Sequence, residues 1–420
     1  MAAMHYLYLT VLVGALAACE GGTPATDGGT GSDGTATPSA IDPVIAAMPP
    51  NSWKALPGTH MADVCPTSQN HYACKFVIDA WGGGAYDTLR ERMIVFGGGH
   101  ADSFYNNVFT FDLGESTWHR DSELPAAVAN LSDGEGVPEA FRDIRIENCG
   151  LYPSVATLSI PPSFLTGSGY MLPGKCDDPS IIAQLDPQQP RSTHTYGNIA
   201  FSPMSGLFYN LGSSALYVSG QSTSPRTMAF DVSTGQWARK ADNLHIQIGG
   251  SSAADAAGRI YYTYNNGVSR YDPATDEWTD LPGGSGTASY QAGAAVDMKR
   301  NKLVVTETGA TIQTWDLTQA SAPRTAVASM GLAAPLPSQL GFEYVKSLDR
   351  FVAYGGGDTM YWLSPETNTW TALKPTGDQP GMLTNGLFGR LRYSPRHNVL
   401  VLVTSVDADV FIYKPPATAP

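Results

Sequence analysis

The stretch "MIVFGGGHADSFYNNVFTFDLGESTW", Met93 to Trp118, begins as a hydrophobic strand, breaks at three glycines and resumes as a second strand before an Asp-led turn. Its last eight residues recur along the chain. "FDLGESTW" (Phe111–Trp118), "FDVSTGQW" (Phe230–Trp237) and "YDPATDEW" (Tyr271–Trp278) each place an aromatic before Asp, with Trp six residues after that Asp. "LSPETNTW" (Leu363–Trp370) keeps the Trp and has Ser364 in place of Asp. "TWDLTQASAP" (Thr314–Pro323) keeps Trp315-Asp316 and loses the final Trp. The frame is that of a hairpin: a strand ends at the aromatic, Asp and small polar residues turn the chain, and Trp starts the return strand.

Upstream of each hairpin lie two more strands. One is hydrophobic and often ends in glycine, as in "MIVFGGG", "LFYNLGSS" and "RFVAYGGGD". The other is rich in small residues and closes in a polar turn, as in "GNIAFSPMSG", "SSAADAAG", "AGAAVDMKRN", "GFEYVKSLD" and "GRLRYSPRHN". Four strands in about 40–50 residues is the period of a propeller blade. Hydrophobic run, Gly-Gly, later aromatic and later Trp together resemble the kelch repeat, most clearly in "MIVFGGG…VFTFDLGESTW" and "RFVAYGGGDTMYWLSPETNTW". The resemblance spans Asn51 to Pro415 and implies an all-β, six-bladed kelch-type β-propeller. It leaves function open, because kelch propellers include binding scaffolds, oxidases, isomerases and lyases. The last unit, "GRLRYSPRHNVLVLVTSVDADVFIYKPP", has no outer strand of its own. The lone strand at Trp53 in "NSWKALPG" is expected to complete it and close the ring. The segment from Arg120 to Gln189 reads as an inserted loop, with a degenerate seventh blade as the alternative.

Composition agrees with many short strands and tight turns: 44 glycines and 30 prolines in 420 residues, without collagen periodicity. The formal net charge of −13 argues against a nucleic-acid partner, since phosphate binding needs a basic face. Leu7 to Ala18 is apolar but too short to span a bilayer as a mature helix. It leads into Leu16-Ala17-Ala18-Cys19, a small-residue ending that marks a secretory signal and resembles the bacterial lipoprotein lipobox. By that resemblance residues 1–18 are the signal peptide and Cys19 is lipidated. The segment ahead of the apolar run departs from the pattern in having no Lys or Arg, only His5. Glu20 to Pro49 is rich in Gly, Thr, Ser, Asp and Pro and reads as a flexible tether of roughly 30 Å root-mean-square span. The expectation is a monomeric domain over residues 50–416, exported and held at the bacterial cell envelope, the outer membrane, by its lipid alone.

Removing Cys19 leaves Cys65, Cys74, Cys149 and Cys176. An even number in an oxidising compartment suggests two disulfides, and sequence order favours Cys65–Cys74 and Cys149–Cys176. No C-x-x-C spacing points to a zinc–thiolate site.

In a propeller the loop into the innermost strand and the loop joining the second and third strands emerge on one face. His100 and Asp102 follow the second strand of blade one and belong there. "PRSTHTYGN" brings Arg191, His194 and Tyr196 toward blade two, "LHIQIGG" brings His245 and Gln247 toward blade three, and "ASYQAG" brings Tyr290 and Gln291 toward blade four. "PSQLGF" brings Gln339 toward blade five, and "TNGLFGR" brings Asn385 and Arg390 toward blade six. Such a polar mouth suits a glycan or another exported ligand, polysaccharide or protein. Each of these residues also has a structural alternative, hydrogen bonding to loop carbonyls.

A second function uses the same groups. β-Elimination beside a uronate needs a cation on the carboxylate, a base for the adjacent proton and an acid for the leaving oxygen. Arg191, His194 or His100, and Tyr196 could fill these roles, and the architecture is similar to that of propeller-fold ulvan and pectate-type lyases. No lyase motif matches residue by residue. A copper-radical oxidase of the galactose-oxidase type is disfavoured, because no Tyr is followed directly by His and the disulfides leave no free thiol. No cofactor is expected; zinc on three of His60, His71, His100, His194 and His245 is the open alternative. A P-loop, a G-x-S-x-G elbow and an H-E-x-x-H motif are absent. The anchor carries a direct test. Cys19→Ser should release the protein from the membrane fraction, because neither tether nor propeller offers another insertion device; unchanged fractionation would contradict lipidation at Cys19.

Overall fold

The computed structural model describes residues 39–66, 71–98, 106–122, 151–153, 159–165, 178–190, 193–215, 222–265, 267–281, 291–306, 311–319, 322–381 and 385–420, with single residues 167, 172, 175 and 383. His100, Asp102, Arg191, Tyr290, Cys19, Cys149 and Cys176 lie outside these residues. Ser39–Pro420 forms one compact unit.

Five four-stranded antiparallel sheets follow one another in the chain. Blade one comprises Gly83–Asp87, Arg92–Phe96, Phe109–Asp112 and Thr117–Arg120. Blade two comprises Ile199–Ser202, Leu207–Asn210, Met228–Asp231 and Gln236–Arg239. Blades three, four and five start at Ser251–Ala254, Ala294–Asp297 and Gly341–Val345 and end at Glu277–Leu281, Arg324–Ala328 and Thr369–Leu373. Blade six takes Leu391–Ser394, Val399–Leu402 and Val410–Lys414 from the C-terminus, and its outer strand is Ser52–Leu56 from the N-terminus. That strand pairs antiparallel with Val410–Lys414, Trp53 opposite Tyr413, and parallel to Thr376–Gly377. Each first strand packs against the first strands of both neighbouring blades, and the first touches the sixth. The protein is a six-bladed β-propeller closed by strands from both ends of the chain. In the Arg120–Gln189 segment, the described strands Leu151–Pro153 and Leu185–Pro190 pair only with each other, so they add no blade.

The recurring hairpin explains the outer strands. Phe111 pairs with Trp118, Phe230 with Trp237, Tyr271 with Trp278 and Leu363 with Trp370 across antiparallel strands. In the turn the Asp side chain accepts a backbone N–H: Glu115 to Asp112 (3.0 Å), Ser233 to Asp231 (2.8 Å), Ala274 to Asp272 (3.0 Å). The tryptophans pack between blades, as Trp237 does on Phe96 of blade one with ring centroids 5.1 Å apart. Their indole N–H groups tie down linking segments, Trp118 to the Thr59 carbonyl (2.9 Å) and Trp278 to that of Ala241 (3.1 Å).

The folded unit starts at Ser39, so residues 39–49, expected to be the end of the tether, are instead packed onto the ring: Asp42–Ala47 is helical, as is His71–Asp79 ahead of blade one. Ile41, Met48, Met61, Val77 and Ile78 are buried in one core with Met93, Phe109 and Trp118 of blade one and Val399, Val401 and Ile412 of blade six. The segment is thus a wedge at the seam where the ring closes. The Cys65–Cys74 disulfide staples it, as sequence order suggested.

The inner strands approach so closely that glycines at or just before their starts leave no room for a side chain. A Cβ on Gly83 would stand 2.0 Å from the Tyr196 carbonyl oxygen of blade two, and one on Gly341 2.5 Å from Leu391 Cβ of blade six. Gly341→Ala should therefore cost about 1–3 kcal/mol, the range for overpacked sites, whereas Gly167→Ala, with open space around it, should cost nothing measurable. Equal unfolding midpoints for the two variants would refute the close approach.

Candidate functional site

The two ends of the channel differ. On the face predicted to carry a polar mouth, the loops into the inner strands form a collar. Tyr196 N–H donates to the Trp81 carbonyl (2.9 Å), Gln291 N–H to that of Gly249 (2.9 Å), Leu387 N–H to that of Gln339 (2.8 Å), and Gly84 N–H to that of Phe388 (3.3 Å). Gln339 Nε2 donates to Gln291 Oε1 (2.6 Å), and Gly197 bridges to Ser251. Every blade is thereby joined to the next. Trp81, Tyr196, Gln291, Gln339 and Phe388 all adopt positive φ, a strained backbone that persists only where surroundings over-determine it. Inside the collar, Tyr196, Ile248 and Phe388 are buried together, with Trp81 against them. The Tyr196 and Phe388 rings meet edge to face at 5.2 Å.

The predicted residues fall around this plug. His194 is 2 % exposed, its ring 4.8 Å from Trp81 and 5.8 Å, edge-on, from Tyr196. His194 and Tyr196 are thus adjacent, as expected, and both are covered. His245 sits farther out, stacked on Tyr264 at 4.4 Å with Nε2 2.9 Å from an Asp280 oxygen. Gln247 Oε1 accepts from the Asn265 N–H (2.7 Å). Arg390 is fully buried, and its guanidinium donates to the carbonyls of Gly82 (2.9 Å), Val403 (2.9 Å) and Gly386 (2.5 Å). Burial pushes its pKa down to about 10. These donors face the protein's own backbone, the structural alternative named for such residues. Among the described residues no group of three or more His, Cys, Asp or Glu is placed to hold a metal ion.

The opposite end is open. Beyond the plug the channel narrows to about 20 Å³ between Phe388 and Arg392. It then widens into a cavity of about 310 Å³ at the turns joining first and second strands, at the lower end of the range for small-ligand pockets. Ala85, Ala200, Ala253 and Ala295 occupy one register position in the inner strands of blades one to four. In blades five and six that position holds Glu343 and Arg392. The two form an ion pair at 2.5 Å. Arg392 also donates from Nε and Nη2 to the Gly84 carbonyl of blade one (3.1 and 2.8 Å). Tyr86, Phe201, Tyr344 and Tyr393 add aromatic wall. Sequence reading missed this pair. Its signal was an acid and a base inside strands, "GFEYV" and "LRYS", where the other blades carry alanine.

The turns around the cavity are tied blade to blade. Ser394 donates to Glu91, Ser202 Oγ to the Gly258 carbonyl (2.5 Å), and Arg300 bridges to Asp349 (2.7 Å). Arg300, with Lys299 and Tyr344, holds the Asp349 carboxyl well below the usual carboxylate range.

No protein-family model matches the chain, and no curated protein matches it.

Burial raises the Glu343 pKa above its ordinary value, while the Arg392 guanidinium pulls the other way. A raised carboxyl holds its proton more tightly folded than unfolded. Its contribution to stability is full below the ordinary Glu range and is lost as pH rises through the folded-state value. Glu343→Gln should flatten that part of the stability profile, read by urea unfolding from acid to neutral pH. An unchanged slope would show that the carboxyl is not desolvated.

Proposed function

We propose that this protein is an exported, lipid-anchored, kelch-type propeller that binds a ligand, a glycan end or another exported molecule, in the cavity at its turn face. The observation that carries the reading is the cavity of about 310 Å³ with the Glu343–Arg392 pair set into its alanine wall. A carboxylate that accepts and a guanidinium with N–H groups to spare can together engage neighbouring hydroxyls of a sugar. Aromatic rings beside them offer apolar faces. Tether and lipid would hold the propeller at the envelope, where such ligands occur.

A second reading, uronate-directed lyase chemistry at the other face, draws support from the adjacent His194 and Tyr196 rings. Their burial favours the binding reading.

Ala256 lines the cavity from an exposed turn, so Ala256→Trp should cover its mouth without touching a core. On an array of envelope and plant polysaccharides the variant should lose the wild-type signal at unchanged melting temperature. Retained binding would place the ligand elsewhere, and release of unsaturated sugar ends by both proteins would favour the lyase.

A further inference from the structure

We propose that the ligand of the turn-face cavity is an anion, the carboxylated or sulfated end of an acidic saccharide chain. The inference rests on the reading of that cavity as the ligand site and adds its charge. The chain is acidic overall, at −13, yet the solvent-facing charge on its inner turns is cationic. The acids there are turned inward and held. Asp87 is paired with Arg90 (2.7 Å), Asp255 with Arg259 (2.7 Å) and Asp297 with Arg300 (2.9 Å). Glu91 is buried and accepts from Tyr86 (3.0 Å) and Ser394.

Two exposed cations remain, Lys346 on the cavity lining and Arg396 beside the lining residue Pro395. Neither side chain has a hydrogen-bond or ion-pair partner among the described residues. Deeper in, Arg392 spends one N–H bond on Glu343 and two on Gly84 and keeps two over. Cations at the rim of a low-dielectric cleft concentrate anions there, and at the floor the spare N–H groups of Arg392, whose charge Glu343 balances, can bind an anion's oxygens. The same face also limits the kind of anion. Its outer hairpins carry Glu115, Asp231, Asp272 and Asp316, each exposed or partly so. That acidic perimeter repels a flat anionic surface such as a phospholipid bilayer and leaves the centre to a chain end. A neutral sugar could take hydrogen bonds from Lys346 or Arg396 but no charge attraction.

Calorimetric titration of Ser39–Pro420, which carries the whole closed ring, tests this with galacturonic acid trisaccharide and neutral maltotriose. The acidic trisaccharide should bind about tenfold or more tightly than maltotriose, and more weakly as salt rises. Lys346→Glu with Arg396→Glu should lose about tenfold or more of that affinity; the milder Lys346→Gln with Arg396→Gln keeps the test sound if the first variant misfolds. Equal binding of both sugars, or charge variants that bind as wild type, would overturn the anion while Ala256→Trp still abolishing binding would uphold the cavity. Binding that survives Ala256→Trp would overturn the cavity itself. Failure of both sugars to bind, or capture of anionic vesicles by the same cations instead, would overturn the proposal.

Discussion

The close approach of the six inner strands is the constraint on which the rest of this structure depends. Sheets arranged radially can bury their faces against one another only if their innermost edges nearly touch, and a side chain at the point of closest approach would hold them apart. Gly83, Gly197, Gly293, Gly341 and Gly389 each meet the next blade within 3 Å of where a Cβ would stand. At the remaining junction Ser251 Oγ donates to the Ala292 carbonyl instead. Close approach also lets the loop before each inner strand hydrogen-bond to its neighbour. The collar and the narrow channel thus have one cause.

From that constraint follows the asymmetry of the two ends. Just before the inner strands the collar segments turn through positive-φ residues, which directs Tyr196 and Phe388 toward the axis, where they bury each other. At the turn face the chain leaves each inner strand through a hairpin that leans on the next blade: Leu89 lies 3.8 Å from the Cβ position of Gly206 in blade two. Between these hairpins lies the cavity of about 310 Å³. The Glu343–Arg392 pair lines that cavity with 17 % and 14 % of its side-chain surface exposed.

The architecture was legible in the sequence because its repeat is made of residues that each have one physical task. Asp turns the outer hairpin, Trp packs between blades, and small residues fill the inner strands. Trp53 revealed the closing strand because it stood without a hairpin of its own. Cys65 and Cys74 were readable because a short loop brings them together. The site was less legible. Sequence order places His194, Tyr196 and Arg390 near the axis but does not say whether they face a ligand or their own backbone, which depends on φ at Tyr196 and on carbonyls at Gly82 and Val403. Glu343 and Arg392 belong to different blades, and their pairing depends on two neighbouring inner strands sharing a register. His100 and Asp102, from the stretch that revealed the fold, lie outside the described residues, and so do Arg191 and Tyr290.

The central claim is that the channel is closed by the collar and receives its ligand from the turn face. A crystal structure of the protein with an acidic trisaccharide tests it most directly. The account predicts sugar density in the alanine-walled cavity, within hydrogen-bonding distance of Arg392 and entering past Lys346. Density on the far side of the collar, against His194 and Tyr196, would contradict it.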